Sequence, residues 1–264
     1  QAGGRMSMKE INVIGTMQLL AACQKSPSVS KLVVKSSTSI YGAGPKDPAM
    51  FTEEMEPKHT PGSGWAKDSV EVESYVRGFA RRRPDVSVTT LRFANFLGPR
   101  VETPMSSYFE LPVIPTLLGH DARLQFIHED DGLEALRQAT IDEHPGMFNV
   151  AGDGIILLTQ AARRAGRPTI SLPASSAGLV GAIIRRLGLA DFSPEQVRFR
   201  TYGRGVDTTR MRTVFGFTPQ HTTPETFDAF VRSRRLNRML PPERVEAVEE
   251  QLVSLLTGRG VVNG

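Results

Sequence analysis

The chain has 264 residues, 39% of them hydrophobic and 23% charged, ordinary for a soluble globular protein and enough for one large α/β domain or two small ones. Its 32 basic and 28 acidic groups leave a formal charge of +4, which raises no field strong enough to demand nucleic acid. A single cysteine, Cys23, excludes an internal disulfide, and no apolar stretch reaches the roughly 20 residues of a membrane span, so a cytoplasmic protein is expected.

Residues 6–25 carry Ile11, Ile14, Leu19 and Ala22 at helical spacing and predict a helix, with Cys23 a structural thiol in its apolar run. Lys31–Ser36 is a short β-branched run and predicts a strand. Residues 42–64, rich in Gly, Pro and Asp, predict a long loop, a kind that in compact domains usually carries function. Asp68–Arg83 predicts a helix stopped by Pro84, and Val86–Arg92 a second strand. Helix, strand, helix, strand at this spacing implies parallel strands with crossover helices. Ligands of such sheets sit beyond the carboxyl ends of the strands, which marks Ser36–Tyr41 and Phe93–Pro99 as the mouth of a site. After residue 100 the segments shorten. Strands are expected at Leu124–His128 and Phe148–Val150, with a turn at Gly152–Gly154. Helices are expected at Glu129–Asp142, 159–165, 174–189, 223–235 and 242–256.

Five segments in order carry a resemblance. Asn12-Val-Ile-Gly-Thr16 with Leu19–Ala22 is followed by Ser36-Ser-Thr-Ser-Ile-Tyr-Gly42 and by Leu91-Arg-Phe-Ala-Asn-Phe-Leu-Gly-Pro99. Then come Gln125-Phe-Ile-His-Glu-Asp-Asp131 and Val206-Asp-Thr-Thr-Arg210 with Phe215-Gly-Phe-Thr-Pro219. Together they resemble the extended short-chain dehydrogenases, and among them the NAD-dependent nucleotide-sugar epimerases and dehydratases. The resemblance implies an α/β fold. Residues 1–122 would form the later part of a Rossmann-like, doubly wound parallel sheet, incomplete at its N-terminus. Residues 123–264 would form mainly a small irregular substrate lobe, with some segments returning to the sheet. It also implies NAD or NADP as cofactor, a nucleotide sugar as ligand, and a homodimer joined through helices 6–25 and 66–83.

Two departures shape the functional expectation. The family's opening strand and G-x-x-G-x-x-G phosphate cradle have no match, since Gly42-Ala-Gly44, Gly62-Ser-Gly64 and Gly152-Asp-Gly154 read as turns. A protein longer than this chain is therefore expected. The family's catalytic Tyr and Lys stand four residues apart with a Glu four further on, and these positions are Trp65, Ser69 and Glu73. In the family the Tyr, as phenolate, takes the proton of a sugar hydroxyl, while the Lys lowers its pKa and holds the nicotinamide ribose. An indole N–H only donates, and a serine brings no charge.

Ser37, four residues before Tyr41, takes the family's hydroxyl position, or alternatively satisfies the backbone at a strand end. The resemblance puts Ser36, Phe93 and Ala94 beside the cofactor and Asn95 beside the substrate. Arg123 would pair with a diphosphate, one residue off the family's spacing. Tyr41 reads as a packing residue, with a stand-in acid as the alternative, and Lys67 as an exposed lysine at a helix start. His59, His120, His128, His144 and His221 show no metal spacing, and no metal site is expected. Two functions stay open: an NAD(P)-dependent epimerase/dehydratase-like oxidoreductase, and a non-catalytic cofactor- or nucleotide-sugar-binding or scaffold protein on the same fold.

Overall fold

The β-branched runs form strands and the 3.6-residue patterns form helices. The computed structural model describes residues 9–56, 64–173, 193–236, 244–245 and 248–249. The helix expected at 174–189, and most of that at 242–256, lie outside them. In chain order the described elements begin with a π-helical stretch (Glu10–Ile14), α1 (Gly15–Lys25), β1 (Lys31–Ser37), a 3-10 turn (Thr38–Tyr41), α2 (Gly64–Arg82) and β2 (Ser87–Phe93). There follow β3 (Asn95–Leu97), α3 (Pro104–Phe109), β4 (Ile114–Leu117), β5 (Arg123–Leu124), β6 (Phe126–His128), α4 (Glu129–Ile141) and β7 (Gly146–Val150). The remainder is β8 (Ile156–Leu157), α5 (Leu158–Arg164), β9 (Thr169–Leu172), α6 (Pro194–Tyr202), α7 (Thr209–Thr213) and α8 (Thr223–Arg234). No helix among the described residues is long and apolar enough to cross a membrane.

Contacts divide the chain into two units, each interleaved with the other along the sequence. The first comprises Gln1–Asn95, Asp130–Ala151 and Val206–Gln220. Its centre is a parallel sheet in the order β1-β2-β7, as the helix–strand alternation required. Leu32, Val34 and Val88 turn to one face, where Leu20 of α1 and Val76 and Phe79 of α2 pack on them. On the other face Leu91 and Phe148 are buried, and Phe148 stacks on Phe215 at 5.2 Å. Arg83 closes the helical side. Its guanidinium donates to the carbonyls of Cys23, Ser26 and Val29 and to Asp85, which ties the end of α1 to the approach to β1. Lys31 does the same across the sheet, its ammonium donating to the last carbonyls of α4 at Thr140 and Ile141 and to Asp142.

The second unit comprises Phe96–Glu129, Gly152–Gly205 and His221–Gly264. It holds short pairings: β4 parallel to β9, β5 antiparallel to β8, and β3 beside β6. Its core is aromatic, with Phe227 edge-on to Phe109 at 4.8 Å and Phe126 within 6.0 Å of Phe227. His128 stacks on His221 at 4.1 Å. The single strand expected over Leu124–His128 is two. Gln125 interrupts it, because its buried amide donates to Gly152 O and leaves Leu124 paired with Ile156 on one side and Phe126–His128 paired with β3 on the other. Gly203 is required where it stands: its φ is +71°, and a Cβ would lie 2.2 Å from the Arg123 backbone.

The carboxyl ends of the three parallel strands are fixed by one buried polar network in the first unit. Ser36, Arg92 and Asn149 are opposite one another in the register and share a face. Arg92 forks onto Glu73 of α2, Nε to Oε1 at 3.0 Å and Nη2 to Oε2 at 2.7 Å, and Ser36 donates to the same Oε1 at 2.5 Å. Burial opposes the charge on Arg92, but the hydrogen bonds and charge interactions of Glu73 and Tyr41 together hold the guanidinium above its ordinary pKa. Arg92 also donates to Tyr41 Oη and Glu53 O. Asn149 accepts from Tyr41 Oη and donates to the carbonyls of Phe51 and Asp207, so its amide joins three chain segments. Glu53 is buried, and its Oε1 accepts from Asn149 N. Burial pushes the Glu53 carboxyl above its ordinary pKa, against the opposing Asn149 N–H.

Two outcomes are expected. Glu73→Ala leaves Arg92 charged and buried without its partner and should lower the unfolding free energy by about 3–5 kcal/mol, read by chemical denaturation. Glu53 is protonated more readily in the fold than in the open chain, so its contribution is complete below the unfolded pKa and fades as pH rises through the folded one. Glu53→Gln should therefore gain stability relative to the parent as pH rises from about 4 to 7, measured by melting across that range.

Candidate functional site

β1 places Ser36 and Ser37 on opposite faces because successive strand residues alternate. Ser36 is buried against α2 with its hydroxyl donated to Glu73. Ser37 turns the other way, opposite Phe93 in the register. Its Oγ accepts from Ser39 N–H at 3.1 Å, which starts the 3-10 turn. A hydroxyl that accepts in this way keeps its own proton to donate. Gly42, at φ +73°, ends the turn.

Phe93 and Ala94 follow at the end of β2 and are buried, with Ala94 N donating to Val150 O of β7. Asn95 comes next, half-buried, and opens β3. Ser37, Phe93, Ala94 and Asn95 are thus gathered at the carboxyl end of one parallel sheet. Arg123 belongs to the other unit, where it pairs with Leu157 and its carbonyl accepts from Arg204 N.

The helical positions are set by α2. It starts at Gly64, before the expected Asp68, and so includes Trp65. Residues 65, 69 and 73 are spaced four apart and form one stripe. Glu73 is anchored to Ser36 and Arg92 as described. Ser69 is buried and its hydroxyl donates back to Trp65 O at 2.9 Å, the familiar bond of a helical serine to the preceding turn. Trp65 is 44% exposed. Lys67 is exposed on the outer side of the helix. Positions 65 and 69 of the stripe therefore carry an open indole and an engaged hydroxyl, and neither a cation nor a base.

Tyr41, the alternative acid, has its hydroxyl engaged in the strand-end network. It is buried, stacked on Phe51 at 4.7 Å and hydrogen-bonded to Arg92 and Asn149. Burial pushes its hydroxyl above the ordinary tyrosine pKa, despite the opposing charge of Arg92. Its part is in packing. Asn12 sits in the π-helical stretch, where Gly15 N–H reaches back to Glu10 O and Thr16 Oγ1 donates to Asn12 O. Sequence reasoning missed Asn149 and Glu53 as members of the network. An asparagine in a strand and a glutamate in a Gly- and Pro-rich loop carry no pattern that announces burial.

The model of the NAD dependent epimerase/dehydratase family matches residues 5–151. An uncharacterized protein of Mycobacterium tuberculosis (strain ATCC 25618 / H37Rv) is 44% identical over 255 residues, covering 97% of this chain and 68% of that protein. Among solved structures, the dTDP-glucose 4,6-dehydratase of Bacillus anthracis in complex with NAD superposes with a TM-score of 0.64 at 18% identity, over 90% of this chain and 72% of that one. The UDP-glucuronic acid 4-epimerase of Bacillus cereus with UDP-glucuronic acid and NAD gives 0.65 at 14% identity, over 87% and 68%. At such identities these structures speak for the fold alone. The parallel sheet, the gathered strand ends and the extent of the family match lead to one conclusion: the chain belongs to the NAD-dependent epimerase/dehydratase family.

Proposed function

We propose that the protein binds a nicotinamide cofactor and a nucleotide sugar at the carboxyl end of its parallel sheet, and that it does not perform the acid–base step of the family's epimerases and dehydratases. The state of the 65/69/73 stripe carries this reading. Where a phenolate would accept a proton stands an indole, whose N–H donates only and offers no lone pair for a proton, and where an ammonium would steady that charge stands a serine bonded to its own helix. Ser37 keeps a donor, but a hydroxyl alone does not replace a base tuned near neutral pH.

The residues present fit one end of the cofactor better than the other. Phe93 and Ala94 offer an apolar border for a flat ring, with Ser37 beside it. The ribose that a lysine would hold meets Ser69, whose hydroxyl is engaged. A nicotinamide supplies hydride exchange when bound; the side chains of this chain border it, orient a sugar hydroxyl through Ser37 and Asn95, and hold no proton in transit. Arg123 would serve the diphosphate of a nucleotide sugar, a guanidinium fork being suited to it. Tyr41 as a substitute acid is disfavoured by its bonds to Arg92 and Asn149.

A homodimer is part of the same proposal. The π-helical stretch and α1 leave Ile11, Ile14, Met17 and Leu19 outward, at 72%, 42%, 44% and 58% exposure, with Tyr75 of the adjoining α2 at 39%. An apolar patch of this kind is an interface more often than free surface, and a second copy covering it through the same helices gives a closed two-fold pair.

Isothermal calorimetry on the full-length protein should show binding of NAD or NADP and of UDP- or dTDP-sugars, with no sugar product formed. The double substitution W65Y/S69K should restore measurable turnover, part of the about 10²–10⁴-fold that a positioned acid/base supplies. Turnover by the parent protein would defeat the non-catalytic reading. For the interface, Ile11→Glu with Leu19→Glu should convert a dimer to a monomer in sedimentation; a parent protein that sediments as a monomer defeats that part.

A further inference from the structure

We infer that Trp65 is the platform on which the hexose ring of the nucleotide sugar stacks, so that this helical turn holds a sugar instead of exchanging a proton with it. The inference rests on the binding reading above and adds to it the ring and the residue that recognises it.

The phase of α2 supplies the first argument. The helix returns the chain from the carboxyl end of β1 to the start of β2, so it runs against the strands. Glu73 fixes its height and rotation, because it is bonded to Ser36 and Arg92 next to the strand ends. Two turns back along the same stripe, about 12 Å along the axis, Trp65 stands past those ends. That is where Ser37 ends β1 and Asn95 follows the end of β2. The other members of the stripe are covered, Ser69 at 7% and Glu73 at 2%, as is Ala66 beside Trp65 at 0%. The indole alone is open, at 44%.

The second argument is chemical. A pyranose has a face of C–H bonds, faintly positive, and a rim of hydroxyls. The π-face of an indole is negative and flat and suits the first. The Ser37 hydroxyl, with its proton still to give, and the half-buried amide of Asn95 suit the second. Ser69 adds no charge to this edge, and its hydroxyl does not compete for the ring, being bonded to Trp65 O. A neutral, hydroxyl-rimmed ring matches such a surface better than a charged group would.

The test compares nucleotide with nucleotide sugar on the full-length protein, using UDP against UDP-glucose and dTDP against dTDP-glucose, with NAD as a separate titrant. Trp65→Ala should weaken binding of the glucose-bearing ligands by roughly 2- to 10-fold and leave UDP and dTDP unchanged. Trp65→Phe should keep most of the affinity. Trp65→Leu, which keeps apolar bulk without a π-face, should behave like the alanine variant and covers the case in which that variant fails to fold. The fluorescence difference between parent and Trp65→Phe should change with UDP-glucose and not with UDP. An equal loss for UDP and UDP-glucose, no loss at all, or a loss confined to NAD overturns the stacking assignment and leaves the binding reading standing. A parent protein that binds none of these ligands overturns both.

Discussion

The rest of the first unit depends on the buried fork between Arg92 and Glu73. Two charges removed from water are costly, and such a pair persists only where geometry is good and the remaining donors and acceptors are met. Both conditions hold: the guanidinium is bidentate on the carboxylate, Ser36 takes a further lone pair, and Tyr41 Oη and Glu53 O accept the rest. A planar fork also fixes angle as well as distance. It therefore sets the rotation of α2 about its own axis, and with it the direction in which every residue of the 65/69/73 stripe points.

Scaffold and chemistry are thus separable in this protein. Glu73, in the stripe, secures the helix to the sheet and would do so whatever stood two turns above it. On the proposed reading Trp65 and Ser69 stand at the positions of the reacting pair, and the attachment through Glu73 does not involve them. Ser69 even reinforces its own turn, since its hydroxyl closes a bond to Trp65 O. The Asn149 amide carries the same network away from the helix to Tyr41, Phe51 and Asp207.

Much of this was legible in the chain. The β-branched runs at 31–36 and 86–92 and the periodic helix between them leave little choice but a parallel pair, and the strand-end motifs pointed to Ser36–Tyr41 and Phe93–Pro99 as the mouth of the site. What escaped did so for identifiable reasons. Ile114–Leu117 contains Pro115, which argues against a strand unless that strand pairs on one side, as it does with Thr169–Leu172. Pro104–Phe109 is too short for a period and is defined by its Thr103 cap. Gln125 looks like any polar residue in a strand until its amide is seen bonded to Gly152 O. The exposure of Trp65 could not be read at all, because the same sequence would serve a buried indole.

The interleaving of the two units bears on how the protein is made. The first is assembled from Gln1–Asn95, Asp130–Ala151 and Val206–Gln220, so its last part leaves the ribosome after two of the second unit's three segments have been synthesised. β7, and the Asn149 amide that gathers the strand ends, arrive long after β1. Asp207, the latest of that amide's partners, comes later still. The early strands must wait with unpaired edges, a situation that slows folding and favours protection by chaperones. Neither unit can be released intact by a single cut in the chain.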